Sequence, residues 1–504
     1  MKANYPRYLL SACAGATLPF AFAPFYYWPL AILAPMILLV GLSKNSSYKN
    51  LVFIQRKSAF FLGFIFGLAY FGVGASWIYI SIHTFGDTPA IIAAIITLLF
   101  IMILASYFGL QCLFTTYFSA RQLLFTFPAF GALCEWVRGW FLSGFPWLQL
   151  GQSQTLGPFK GYLPLVGVYG TTFLLLLCSS LLFFLFSHLK HRRITFYYAL
   201  VALITLFLIA AFLNTLHWTK TTPKKISVAL IQGNIPQEIK WSPEQLAPTL
   251  DTYISMTVPF LGRDIIFWPE GAVPLPLPYA KKFVDHVSHI AKQHHSTIVF
   301  GVPVENKFNY YNAIVSTDTP TSIYYKRHLV PFGEYVPLAN LLRGLIGFFD
   351  LPMSNFIAGN KDQTLLTANH IGFGSFVCYE IAYTQLLHHT LKQNPAFLVT
   401  LSNDAWFGES WAPYQHAQIA QVAAILSGRY LVLNANSGLT AIYDTKGQLI
   451  DALPLFVRDS LEGTIYTANG QTPWSRLGDA PIIALLALLL IGMRLNNFSF
   501  FRIH

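Results

Sequence analysis

The sequence predicts a multi-pass α-helical membrane domain of about eight spans, joined to a layered α/β domain. Three observations carry this. Only 11% of the 504 residues are charged, 54% are hydrophobic, and the mean hydropathy is +0.50; an ordinary soluble domain carries about 25% charged residues. The apolar residues gather in long runs before Trp218 and after Arg476. Between them, residues 218–476 alternate β-rich runs with helical stretches, the signature of layered α/β architecture. This composition excludes a disordered chain, a coiled coil and an ordinary cytosolic enzyme. The 16% aromatic content suits rings at a lipid interface.

A membrane-spanning helix needs about 20 mostly apolar residues. Seven candidates precede Trp218: Tyr8–Ala23, Trp28–Leu42, Ser58–Ile82, Pro89–Phe118, Gln122–Trp140, Gly161–Leu189 and Thr195–Leu216. Pro481–Met493 is the eighth; it and the first two are short and need flanking residues to span. Ala21-Phe22-Ala23 has the form of a signal-peptidase site, but Pro19 and Pro24 flank it and the charge pattern needs the first span retained.

Charge sets the orientation. Residues 218–476 hold 18 basic and 18 acidic side chains, so the net +11 resides in the apolar part. That distribution argues for basic loops on one face of a membrane and against a nucleic-acid partner. Lys2 and Arg7 precede span one; Lys44, Lys49, Arg56 and Lys57 lie between spans two and three. Arg121 follows span four, Lys190, Arg192 and Arg193 follow span six, and Arg494 and Arg502 follow span eight. The opposite short loops contain Lys160 alone. Both termini are thus expected in the cytoplasm and residues 218–476 in the periplasm of a bacterial inner membrane. The expected division is 1–217 as a seven-span membrane domain, 218–476 as the exported domain, and 477–504 as the eighth span and tail. Within span five, Glu135 and Arg138 share a helix face, which suggests an ion pair fixing a helix end.

In the exported segment the expected strands are Ile226–Ile231, Ile265–Trp268, Thr297–Val302, Ala313–Ser316, Ile323–Tyr325, Gly374–Val377, Phe397–Leu401, Tyr430–Leu433 and Thr440–Tyr443. The expected helices are Pro243–Thr257, Ala280–His294, Ala382–Lys392 and Pro413–Gly428. Polar residues follow several strands directly: Glu270, Lys326, Cys378, and Ser402-Asn403-Asp404. Strand ends are where ligand sites gather in layered α/β folds.

Of the five cysteines, Cys13, Cys112, Cys134 and Cys178 fall in spans, and only Cys378 lies in the exported domain. It has no intrachain partner there. Its residues alone leave two readings: a small buried apolar side chain, or a nucleophile whose pKa is lowered by the start of the helix expected after it. Taken singly, Glu270 reads as a surface acid and Lys326 as part of a solvated basic turn. Together, a thiol, an amine and a carboxylate at three strand ends suggest a nucleophile with a base and a charge stabiliser.

Trp268-Pro269-Glu270, Tyr325-Lys326 running to Leu329-Val330-Pro331-Phe332-Gly333-Glu334, and Cys378-Tyr379-Glu380 resemble the nitrilase (carbon–nitrogen hydrolase) superfamily. Combined with eight spans, they resemble its membrane-integrated branch, the apolipoprotein N-acyltransferase family of Gram-negative bacteria. Gln232–Gln237, Ser402–Gly408, Asn436–Ala441, and Glu135-Trp136 with Arg138-Gly139 and Gly144–Trp147 fit the same pattern. The resemblance implies an αββα sandwich. It implies Glu270 as general base, Lys326 as oxyanion stabiliser and Cys378 as nucleophile. Glu334 and Glu380 would orient Lys326 and its loop, and Trp241 and Tyr379 would line a lipid pocket. Gly271 and Ser437 depart from the family's usual residues without touching the triad.

The implied reaction is transfer of an acyl chain from a phosphatidylethanolamine-type phospholipid, through a Cys378 thioester, to the α-amino group of a diacylglyceryl-modified apolipoprotein. The triad alone does not separate this from a membrane-tethered amidase. No cofactor or metal is expected: His294–His295 and His388–His389 lack ligand spacing. Residues 338–357, with Leu341–Phe349 at their centre, read either as a core helix or as a lid dipping into the outer leaflet.

Overall fold

The computed structural model describes residues 5–43, 52–119, 122–188, 193–306, 309–337 and 355–500. They form two compact units. One comprises residues 1–76, 94–217 and 477–504; the other comprises Trp77–Ala93 and Trp218–Arg476.

The first unit is helical. Its principal helices are Tyr5–Thr17, Leu30–Leu42, Arg56–Gly74, Ala90–Thr115 (whose first turn belongs to the second unit), Leu123–Arg138, Leu163–His188, Arg193–Thr215 and Ala480–Phe500. An apolar helix therefore falls in each of the eight expected segments. Among the described residues, four stretches are long and apolar enough to cross a membrane: Arg56–Gly74, Ala90–Thr115, Pro158–Ser187 and Phe196–Thr215. Helices in lipid satisfy their own backbone, but the segment after Leu123–Arg138 is irregular and needs other partners. Arg138 donates to the carbonyls of Phe145 (2.8 Å), Trp147 (2.7 Å) and Leu148 (3.2 Å). Glu135 accepts from Leu150 N (2.8 Å) and Thr172 Oγ1 (2.7 Å). The expected ion pair is therefore replaced: among the described residues the two charges bind the 145–150 backbone, with no direct salt bridge between them.

The segment after Gly74 also departs from expectation. The sequence extends span three to Ile82, but the helix stops at Gly74 and Trp77–Ala93 folds with the second unit. Trp77 Nε1 donates to Gln415 Oε1 (3.2 Å), and its ring meets Phe407 edge-on at 4.8 Å. Ser81 Oγ donates to Trp406 O (2.8 Å), and the Phe85 ring packs on Trp406. Polar partners and aromatic packing hold this segment, although its hydropathy alone reads as membrane.

Among its described residues, the second unit contains two six-stranded sheets. One runs β12-β1-β2-β3-β4-β5 and the other β11-β10-β9-β8-β7-β6. The first is built from β1 (Thr219–Gln232), β2 (Ile265–Phe267), β3 (Thr297–Asn306), β4 (Asn309–Ser316), β5 (Ser322–Tyr325) and β12 (Asp459–Gly470). The second is built from β6 (Leu366–Ala368), β7 (Ile371–Val377), β8 (Leu398–Ser402), β9 (Leu431–Ala435), β10 (Thr440–Tyr443) and β11 (Leu449–Leu453). Each has a parallel centre, β1-β2-β3 or β7-β8-β9, and antiparallel flanks.

Alternation in β1 explains the layering. Ile226, Val228 and Leu230 enter a core shared with Val377, Val399, Leu401 and Val432 of the opposite sheet. Ala229 and Ile231 point the other way, against Tyr253 of helix Pro243–Thr257 and Val284 and Val287 of helix Leu277–Gln293. Full burial of such a side chain stabilises the fold by about 1.5–3 kcal/mol. Helices Thr384–Leu391 and Ala412–Ser427 belong to the other half, and the result is the expected αββα sandwich. The parallel centres bring the ends of β2, β7 and β8 to one rim.

Candidate active site

Glu270 lies just beyond β2, Lys326 follows β5, and Cys378 follows β7. The structure brings all three together. Lys326 is only 1% exposed; its Nζ lies 2.9 Å from Glu334 Oε1 and 3.7 Å from Glu270 Oε1. Asn312, on β4, donates through Nδ2 to both Glu270 Oε1 (2.7 Å) and Glu334 Oε1 (2.8 Å). The other Glu270 oxygen accepts from Asn403 N at 2.9 Å. Val330 N donates to Glu334 Oε2 at 2.8 Å, tying that carboxylate to its own turn. Burial works against the Lys326 ammonium, but Glu334, then Glu270, Cys378 and Glu380 hold its pKa above the ordinary range. It stays charged, which suits it to stabilise a developing anion.

Cys378 is buried and adopts φ = +54°. A non-glycine residue held in this left-handed region costs about 1–3 kcal/mol, and such strain gathers at functional sites. Its side chain hydrogen-bonds Ser402, whose hydroxyl donates to Asp404 Oδ1. The Ser402 contact favours the thiolate. Burial pushes the thiol pKa well above its usual value; Glu270 adds to this and Lys326 opposes it. The expected lowering by a helix start is thereby corrected. Cys378 opens only a five-residue 3₁₀ turn, Cys378–Ala382, and the α-helix begins at Thr384. The resting group is a thiol.

Glu380 staples two loops. Its Oε1 accepts from Arg327 N (2.6 Å) and His328 N (3.0 Å), and its Oε2 accepts from Val377 N (2.8 Å) and Tyr324 OH (3.0 Å). Tyr379 donates to Leu329 O (3.0 Å) and meets Tyr383 edge-on at 5.2 Å. Trp241 is exposed, and its ring edge approaches Gly271. Of the segment 338–357, read as either a core helix or a lid, residues 338–354 lie outside the described part; Phe356 N donates to Glu334 O (2.9 Å).

Sequence reasoning missed three residues. Asn312 was legible only as a polar interruption in an apolar strand. Lys240 is fully buried and donates to the Glu270 carbonyl at 3.0 Å. Burial lowers its pKa to about 8, against the pull of Glu270. Gly271 makes room for it: a Cβ there would lie 3.1 Å from Lys240 Nζ. His416, inside helix Ala412–Ser427, pairs with buried Asp404 at 3.0 Å. A single histidine in an apolar helix carries no sequence signal of that role.

Residues 14–181 match the family described as apolipoprotein N-acyltransferase N-terminal domain, and residues 227–469 match carbon-nitrogen hydrolase. The apolipoprotein N-acyltransferase of Coxiella burnetii (strain RSA 493 / Nine Mile phase I) is 37% identical over 96% of this chain and 99% of that one. The chain belongs to the apolipoprotein N-acyltransferase family. Family members from Pseudomonas aeruginosa (strain LESB58) and Azotobacter vinelandii (strain DJ / ATCC BAA-1303) are 37% and 39% identical over 98% of this chain, and 97% and 96% of theirs. The similarity to these relatives runs along almost the full length of this chain, through both its helical unit and its sandwich.

Proposed function

We propose that the protein transfers an acyl chain from a phosphatidylethanolamine-type phospholipid to the α-amino group of a lipoprotein's N-terminal diacylglyceryl-cysteine. The observation that carries this reading is the meeting of Glu270, Lys326 and Cys378 in a family member whose other unit is apolar and helical. Glu270 takes the proton from Cys378 as sulfur attacks the ester carbonyl. Two N–H donors hold Glu270 in place for this. Lys326 receives the oxyanion. The C–O bond breaks, Glu270 returns the proton to the departing lysophospholipid oxygen, and a thioester remains on Cys378. The acceptor amine then attacks; Glu270 takes its proton and passes it to the Cys378 sulfur as the C–S bond breaks, and an amide forms. The two substrates react in turn, so the kinetics are ping-pong.

The same reading puts the sandwich in the periplasm and both termini in the cytoplasm of a bacterial inner membrane. Two independent features support it: the alternation of basic loops, and the grouping of the Trp77–Ala93 connection with residues 218–476. A chase experiment separates transferase from amidase. Protein loaded with labelled phospholipid is given a diacylglyceryl-cysteine peptide. Label moves to the peptide amine in a transferase. Label released as free fatty acid, with none on the peptide, identifies a hydrolase and overturns the proposal.

A further inference from the structure

Behind the thiol, His416 and Asp404 are both fully buried. His416 Nδ1 faces the Asp404 carboxylate at 3.0 and 3.2 Å, and Nε2 faces the carbonyl of Cys378 at 3.3 Å. Both of these groups are pure acceptors. A neutral imidazole has one N–H and would set a lone pair against one of them. The geometry therefore calls for hydrogen on both nitrogens, an imidazolium. Thr400 Oγ1 donates to the same Cys378 carbonyl at 3.3 Å. This carbonyl belongs to the residue at φ = +54°, so the donors pin the strained backbone that carries the sulfur.

We propose that His416 and Asp404 form a buried imidazolium–carboxylate strut that grips the carbonyl of Cys378 and positions its sulfur for attack. The inference rests on the reading of Cys378 as nucleophile. His416 acts through the backbone and is a positioning residue. Asp404 works at both ends of the arrangement: it holds the imidazolium and accepts from Ser402, which in turn hydrogen-bonds the Cys378 side chain. The groups acting on His416 are the carboxylate of Asp404 after β8, the backbone carbonyl of Cys378 after β7 and the carboxylate of Glu270 after β2. The adjoining helix Thr384–Leu391 carries His388 and His389, and the Cys378–Ala382 turn carries Tyr379 and Glu380. Burial opposes the charge on His416, but the Asp404 contacts raise its pKa above the ordinary histidine value.

The test uses full-length protein in detergent micelles. Histidine labelled with ¹⁵N in the ring reports protonation directly, with His416→Gln or Asp404→Asn identifying the signal. Both ring nitrogens of His416 are expected to carry protons at pH 7.5, where ordinary histidines are neutral; a neutral tautomer overturns the strut. A second readout is alkylation of Cys378 by iodoacetamide, followed on its peptide by mass spectrometry. In folded His416→Gln and Asp404→Asn, alkylation and thioester formation are expected to slow by about 10–100-fold, the size of a lost charge-assisted hydrogen bond. Wild-type rates in both folded variants overturn the strut while leaving the acyltransfer reading intact. Conversely, a wild-type protein that shows the imidazolium but forms no thioester from labelled phospholipid refutes the acyltransfer reading alone.

Discussion

Glu270 and Lys326 are held by different means, and their substitutions should fail differently. Glu270→Gln keeps the shape but cannot take a proton, so turnover should vanish while the melting temperature changes little. Lys326→Met removes the cation between Glu334 and Glu270. Its rate should fall on the order of 10²–10³-fold, as for a lost oxyanion donor. Breaking a buried ion pair also costs about 3–5 kcal/mol, so this variant should melt at markedly lower temperature; a wild-type melting temperature would remove Lys326 from the buried network. Lys240 predicts a pH signature. Burial lowers its pKa to about 8, below the value near 10.4 of an unfolded lysine. Its charge therefore destabilises the fold fully below about pH 8, and the penalty shrinks as pH rises from there toward about 10.4. Lys240→Met should exceed wild type in melting temperature at pH 6.5, with the gap narrowing above pH 8. A gap that widens with pH would contradict the assignment.

At the scale of elements, β3 sets the position of Glu270, the proposed base. A Cβ on Gly301 would lie 2.6 Å from Glu270 Cα and 2.6 Å from Gly271 N. Backbone cannot yield as a flexible side chain does, so Gly301→Ala must displace the Glu270 loop. A shift near 1 Å costs roughly 10²-fold in rate. Acyl transfer should fall by about that factor in a protein that still folds, and an unchanged rate would show the loop to be slack. The central strands were legible because their apolar runs are β-branched and end in turn residues, as in Ile265–Trp268 and Phe397–Leu401. β12 was not, since Asp459, Glu462 and Gly463 dilute its pattern, and its pairing to β1 is long-range. The meeting of Glu270, Lys326 and Cys378 was legible because each lies just beyond a strand. Asn312, Lys240 and His416 were not, because their roles arise from contacts distant in sequence: 42 residues for Asn312 to Glu270, 30 for Lys240 to Glu270 and 38 for His416 to Cys378. Trp77–Ile82 was misread for the opposite reason: apolar content marks burial, and burial against a protein surface looks like burial in lipid.

For the whole molecule, charge and fold combine into one topological prediction. Reporter fusions after Lys57 and Arg193 should read cytoplasmic, and a fusion near Asp87 in the Trp77–Ala93 connection should read periplasmic. A cytoplasmic reading at Asp87 would break the link between that connection and an exported sandwich. The central claim, that Cys378 carries the acyl chain between two substrates, has a more direct test. Purified full-length protein is incubated with labelled phospholipid and no acceptor, and its peptides are weighed. The account predicts an acyl adduct on the Cys378 peptide, labile to hydroxylamine and missing from folded Cys378→Ala. A folded Cys378→Ala protein that still transfers acyl chains to a diacylglyceryl-cysteine peptide would contradict it.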